Sequence, residues 1–251
     1  LGKLLKRLRT AASTYNLEHP ELPLSIATGY AIATPEITSL EDAFRQADNH
    51  MYNDKSQHRE SARRLILNSF LRKVQGREGT QQKDIQHMQM LITKLAQKLQ
   101  LPDTLIPQLQ AAVRYYDIGL LSVSESILSS KASLSEEDRR HIRRHPEVGQ
   151  RLVESIPELS GIGDWILKHH ERWDGSGYPM GLSGANIPIG VRMLSLIDSY
   201  EAMRHDRPYR PALSFEETIA ELKSQAGRQF DPQITESFIT LLYELHEKLV
   251  E

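Results

Sequence analysis

The sequence predicts a mainly α-helical fold with a small α/β part at its N-terminal end. Three observations carry this. From Thr80 onward apolar residues recur every three or four positions. Leu24–Thr34 (LSIATGYAIAT) is the one stretch that reads as a strand, with Gly29 as a bend or close approach. The composition of the 251 residues, 39% apolar and 25% charged, is that of a globular chain long enough for one large or two small domains. No run within it approaches the ~18 apolar residues of a membrane span, and no signal-peptide pattern is present. A formal net charge of -2 supplies no basic field for duplex nucleic acid. The absence of cysteine excludes disulfides, thiolate metal sites and cysteine nucleophiles, and fits a reducing, cytoplasmic setting.

The elements follow in order. Thr38, with Glu41 three residues on, forms a capping box for a helix whose apolar face is Leu40, Ala43, Phe44, Ala47 and Met51. Residues 58–75 keep helical spacing through Leu65, Leu67, Phe70, Leu71 and Val74, with Gly76 and Gly79 as stop signals. Ile85, Met88, Leu91, Ile92, Leu95 and Leu99 mark one amphipathic helix; Leu105, Leu109, Ala112, Val113 and Tyr116 mark the next. Ser135 caps a third, whose acidic Glu136, Glu137 and Asp138 suit the positive helix start. A fourth runs from about Leu159 to Glu171. Trp173–Pro188, with four Gly and two Pro, is a long loop. Helices resume at Ile189, at Ser214 and beyond Pro232.

The chemistry concentrates in Tyr115-Tyr116-Asp117, His145-Pro146, His169-His170-Glu171-Arg172 and Leu196-Ile197-Asp198-Ser199, each on a predicted helix or at its end. A chain without cysteine builds a transition-metal site from His and carboxylate. Three His and several carboxylates from separate helices can converge inside a bundle. Iron, manganese and zinc accept such a mixed set, and an Asp bridging two ions about 3.5–4 Å apart has the geometry to activate water against a phosphodiester. The plainer alternatives are a His145 that ends a helical turn and a His169-His170 pair with one core and one surface imidazole.

The stretch HHERWDGSGYPMGLSGANIP, followed by RMLSLIDSYEAMRHDRPYR and GRQFDP, resembles the HD-GYP family over residues 80 to about 240. These are bacterial metal-dependent phosphodiesterases that hydrolyse cyclic di-GMP. The resemblance implies an HD-superfamily helical bundle and one or two divalent ions, iron or manganese before zinc or magnesium. It implies that Asp117 is the bridging, catalytic carboxylate, that His145, His169 and His170 hold one metal with it, and that Asp198 holds the other. Gly177 and Tyr178 would lie along the nucleotide, and Arg207 and Arg210 would contact its phosphates, a task that suits the planar guanidinium fork.

Three departures fall on chemistry. The family's HD pair is Tyr116-Asp117 here, its following Lys is Leu120, and a His one element earlier is Asp84. The second half-site becomes Asp84, Tyr116, Asp198 and the shared Asp117, an oxygen set that shifts preference toward harder ions. Leu120 removes a cation that would face the scissile phosphate. Asp84, Asp117 and Asp198, if close together, would need a cation, or His87 beside Asp84, to relieve their repulsion.

SIATGYAI and SLEDAFRQADNHMYNDKS resemble the C-terminal half of a GGDEF domain, without the GGDEF signature itself. The expected organisation is therefore residues 1–57 as the C-terminal part of a GGDEF-like domain, 58–79 as a connecting helix and 80–251 as the HD-GYP domain. One strand and one or two helices do not close a sheet, so the chain is expected to start inside a domain. Three functions follow as expectations: a cyclic di-GMP phosphodiesterase with impaired catalysis, an inactive module that binds the dinucleotide or docks a partner, and an HD-superfamily phosphohydrolase acting on another nucleotide. The partners expected are cyclic di-GMP and a GGDEF-domain protein or a second copy of the chain.

Overall fold

The computed structural model describes residues 2–18, 24–32, 39–78, 82–130, 134–206 and 211–250. The chain divides into two units, Leu1–Lys73 and Val74–Glu251. The fold is mainly α, as the periodicity predicts, and no β-strand forms among the described residues. None of their helices is long and apolar enough to cross a membrane.

The first unit contains α1 (Gly2–Glu18) and most of α2 (Leu40–Glu78). The predicted strand is an extended segment without a ladder: Leu24–Ile32 pairs with side chains. Asn16 on α1 exchanges two hydrogen bonds with the Leu24 backbone, at 2.6 and 2.9 Å. Asp54 on α2 accepts from the Thr28 backbone at 2.8 Å and meets Arg9 at 2.7 Å. A lone strand has no edge to pair with, so its polar groups turn to helix side chains instead. The α2 cap also differs from expectation. Ser39 accepts from the Asp42 N–H at 3.0 Å, so the box opens one residue later than a Thr38 cap would place it. The helix then runs through Gly76 without a break. Its expected apolar face is partly covered: Gly29 of the extended segment approaches Ala47 and Met51 closely, as the sequence suggests, while Leu40 and Phe44 are exposed.

The second unit carries α3 (Gln82–Lys98), α4 (Ile106–Tyr115), α5 (Glu125–Leu128), α6 (Glu136–Arg143), α7 (His145–Glu154), α8 (Gly163–Lys168), α9 (Ile189–Met203), α10 (Phe215–Gln225) and α11 (Pro232–Val250). The predicted stripe of α3 is the centre of its core. Leu91, Ile92 and Leu95 are fully buried against a cluster that includes Leu109, Leu194, Ile197 and Phe238. Each such side chain contributes about 1.5–3 kcal/mol relative to exposure. Two capping boxes, Ser135 with Asp138 and Ser214 with Glu217, start α6 and α10. The helix expected from Leu159 to Glu171 is shorter. A 3-10 turn over Pro157–Ile162 precedes α8, since Pro157, Gly161 and Gly163 disfavour a continuous helix.

Candidate metal centre and nucleotide cleft

The centre is assembled by close approach of short elements. Asp117 sits between α4 and a 3-10 turn over Ile118–Ser122. Gly119 on that turn lies against the first residues of α7, where a Cβ would meet the His145 carbonyl and come within 2.7 Å of Gly149 N. Only glycine permits this approach, which draws Asp117 up to His145. Pro146 sits in the first turn of α7, where its missing N–H costs nothing, so His145 opens a helix rather than ending one. His169 and His170 follow directly from the end of α8.

The structure brings four of the expected ligands together. One donor atom each from Asp117, His145, His169 and His170 lies within 4.8 Å of the others. His145 and His169 are 2% and 3% exposed. The Nδ1 of His145 donates to the Ile142 carbonyl and that of His169 to the Ile166 carbonyl, both at 2.7 Å. With Nδ1 protonated, the neutral ring presents an Nε2 lone pair, the tautomer a metal ligand needs. The two Nε2 atoms face each other at 3.2 Å, and Asp117 Oδ1 lies 3.3 and 3.6 Å from them. Two buried lone pairs and a carboxylate around one point call for a cation. The N/O donor set fits a borderline transition ion. Burial alone would raise the Asp117 carboxyl, but the hydrogen bonds and charge that His145 and His169 supply when protonated, in place of a metal ion, hold it well below the usual carboxylate range. Burial, reinforced by the charge of His169, lowers His170 to about 2, so its ring is neutral and able to coordinate.

The remaining expected ligands are placed differently. The Tyr116 hydroxyl donates to Asp198 Oδ1 on α9 at 2.8 Å, and its ring meets His169 edge-on. Tyr116 thus enters this structure as a hydrogen-bond donor to the candidate ligand Asp198. Asp84 lies in a separate group with Glu201 and His205, whose donor atoms also fall within 4.8 Å. His205 Nε2 stands 3.5 Å from Asp84 and 3.4 Å from Glu201. His87 pairs with Glu201 at 2.8 Å rather than with Asp84. Burial raises the Glu201 carboxyl, but the bond from His87 and the charges of His87 and Arg204 bring it below its ordinary value. Leu120 is buried in an apolar cluster with Val123, and Leu121, Ile127, Leu128 and Ile142 pack around it.

The candidate nucleotide cleft lies beside His170. Tyr178 stacks on that imidazole with ring centroids 4.8 Å apart, and its own N–H donates to the His170 carbonyl at 3.2 Å. Burial raises the Tyr178 phenol to about 12, so it keeps its proton. Gly177 has no room for a side chain: a Cβ would come within 2.6 Å of both Glu171 Cα and the His170 carbonyl. The loop is held by Glu171, which sequence reasoning noted only as part of a motif. Its carboxylate, 2% exposed, accepts from Met180 N at 2.7 Å and from Leu182 N at 2.9 Å. An acidic residue directly after two histidines, followed by a glycine-rich loop, was the available signal. A cleft of about 240 Å³ opens here, lined by His170, Gly177, Tyr178 and Gln229 among others. Arg207 and Arg210 lie outside the described residues.

Comparison with known proteins bears on the family and the fold. A family model described as HD domain matches residues 46–234. The cyclic di-GMP phosphodiesterase response regulator RpfG of Xanthomonas campestris pv. campestris is 31% identical over 182 residues, which are 72% of this chain and 48% of that protein. A protein of Pseudomonas aeruginosa named as a cyclic di-GMP phosphodiesterase is 36% identical over 150 residues, 59% of this chain and 36% of its own length. The chain thus spans about half the length, or less, of these relatives. Among solved structures, an HDG"Y"P protein from Bdellovibrio bacteriovorus superposes with a TM-score of 0.53 at 16% identity, over 97% of this chain and 81% of that one. That likeness concerns the fold. With the histidine and aspartate cluster, the GYP loop and the matched family model in agreement, the chain belongs to the HD domain family and is a member of its HD-GYP type.

Proposed function

We propose that this chain is the phosphodiesterase domain of a cyclic di-GMP signalling protein, with turnover limited by its second half-site. The observation that carries the reading is the convergence of Asp117, His145, His169 and His170 within 4.8 Å, beside a Tyr178 stacked on His170. A divalent ion held by these four residues, iron or manganese before zinc or magnesium, would polarise a phosphodiester oxygen and lower the pKa of attacking water. The protein's own contribution is orientation. The carbonyls of Ile142 and Ile166 fix the ring tautomers of His145 and His169. Asp117, held ionised, would serve as an anionic ligand to the ion. Tyr178, stacked on His170, would form part of the wall along which the nucleotide lies, and Glu171 holds the loop that carries it. A cytoplasmic location, a GGDEF-like origin for residues 1–57, and a GGDEF-domain protein or a second copy as partner belong to the same reading.

One observation favours a second reading, a binding module without turnover. Tyr116 stands where an imidazole would be a ligand, and its hydroxyl is committed to Asp198 at 2.8 Å. The distinguishing experiment follows loss of cyclic di-GMP by chromatography, with manganese or ferrous iron supplied anaerobically. Slow hydrolysis by the wild type, abolished in His169→Ala, supports the enzyme. Tight binding with no loss of nucleotide supports the module. Absence of both binding and hydrolysis would refute the proposal.

A further inference from the structure

Two clefts share Tyr178 and Arg143 in their linings. One is the 240 Å³ cleft beside His170. The other, about 340 Å³, is lined also by Leu134, Ile142, Arg139 and Arg140. Nothing in the metal-centre argument uses this second cleft. Its character differs from an ordinary solvated helix face. The Arg143 guanidinium carbon lies 4.5 Å from the centroid of the Tyr178 ring, the same ring that stacks on His170. Arg139 has Glu136 at 3.7 Å, but Arg140 and Arg143 have no carboxylate partner among the described residues. Three arginines against one glutamate leave the cleft cationic.

The position of Arg143 is fixed by its neighbours. Ile142 packs onto the apolar cluster of Leu120 and Val123, which anchors the end of α6. Basic residues at a helix C-terminus complement the dipole, and that accounts for Arg140 and Arg143 in the last turn of α6. It does not account for one of them lying over an aromatic ring of the neighbouring loop.

A cyclic dinucleotide has two purines and two phosphodiesters, and only one phosphodiester is at the metal centre at a time. The second needs a cation, and its base needs apolar or aromatic surface. Arg143 and Arg140 offer the first, and Leu134 and Ile142 offer the second. Arginine also suits the task because its fork pairs with two phosphate oxygens at once while its plane stacks on a ring. We infer that the cleft of Arg139, Arg140 and Arg143 receives the half of the cyclic dinucleotide that is not being cleaved, with Arg143 paired to its phosphodiester. This rests on the functional reading above and adds a second subsite to it.

The test is calorimetry on manganese-loaded protein with two probes: the hydrolysis-resistant bis-phosphorothioate of cyclic di-GMP, and GMP. Arg143→Met keeps an unbranched apolar stem and removes the charge. It should weaken the dinucleotide analogue about 10- to 100-fold, the effect of one lost charged hydrogen-bond partner, and leave GMP affinity unchanged. Arg143→Lys should recover part of the loss, and Arg140→Met should show a smaller one. Metal content and melting temperature, measured alongside, should match the wild type. Equal dinucleotide affinity in wild type and Arg143→Met would overturn the second subsite while leaving the functional reading intact. Equal losses for both probes would overturn it too, because Arg143 would then only be supporting Tyr178. A wild type that binds neither probe would overturn both.

Discussion

Replacing Glu171 by Ala removes the acceptor of two main-chain N–H groups, those of Met180 and Leu182. The carboxylate is 2% exposed, so water does not replace it without opening the loop. Hydrogen bonds to a charged acceptor contribute about 1.5–3 kcal/mol each, so losing both costs about 3–6 kcal/mol. Glu171→Gln keeps one acceptor oxygen and turns an amide NH2 toward the second N–H, which places it about halfway. Against a total stability of about 5–15 kcal/mol, the Ala variant is a severe change. Part of the loss is expected to appear locally, as opening of the Met180–Leu182 end of the loop, because the two bonds to Glu171 are what tie that end down. Amide exchange measured residue by residue separates the two. In Glu171→Ala the Met180 and Leu182 amides should exchange much faster than in the wild type, with α3 and α9 amides slowed or speeded only as the denaturation midpoint moves. Nucleotide affinity should fall while metal content holds, since Tyr178 loses its support and the histidines do not. Unchanged exchange at Met180 and Leu182 would refute the claim that Glu171 positions this loop.

The other predictions concern single contacts. Gly177→Ala forces a methyl group against Glu171 and the His170 carbonyl and should cost about 1–3 kcal/mol, with nucleotide affinity lost and metal retained; titration and elemental analysis check it. Leu120→Lys, which restores the family's residue, should destabilise rather than repair, because it places a charge among Val123, Ile127 and Ile142; a lower denaturation midpoint without gained hydrolysis is the expected result. The Ser135 and Ser214 hydroxyls and backbones hold the Asp138 and Glu217 carboxyls below their ordinary values. Each cap therefore contributes stability that is fully present above the unfolded carboxyl value and is lost as pH falls through the lower folded one. Ser214→Ala should bring the Glu217 titration, followed by NMR, back toward that of a free glutamate.

Much of this was legible in the sequence for stated reasons. The α3 stripe from Ile85 to Leu95 is a local pattern, and it names the centre of the core because burial follows the helical period. Ser135 and Ser214 are local signals too, each meeting a carboxylate three residues on. Residue type points only to histidines and carboxylates that can converge; the specific set of Asp117, His145, His169 and His170 is what the HD-GYP resemblance implies. What escaped depends on partners distant in sequence. Asp84 meets Glu201 and His205 across the bundle, and no periodicity within α3 announces that. The resemblance makes Leu120 a missing cation facing substrate, yet its surroundings make it a core residue. Leu24–Ile32 has the residues of a strand, but a strand exists only where another pairs with it, and here the helices answer its polar groups through Asn16 and Asp54. At His145-Pro146 the plainer alternative, a histidine that ends a turn, does not hold, because the proline sits in the first turn of a helix.

The claim on which the account stands is that Asp117, His145, His169 and His170 form a metal centre. Equilibrium dialysis against manganese or ferrous iron under anaerobic conditions, with elemental analysis of the retained protein, tests it without reference to activity. The wild type should retain at least one ion per chain. His145→Ala and His169→Ala should lose most of it while keeping the helical circular dichroism of the wild type. Retention of the same metal content by either folded variant, or a wild type that retains none, would contradict the account.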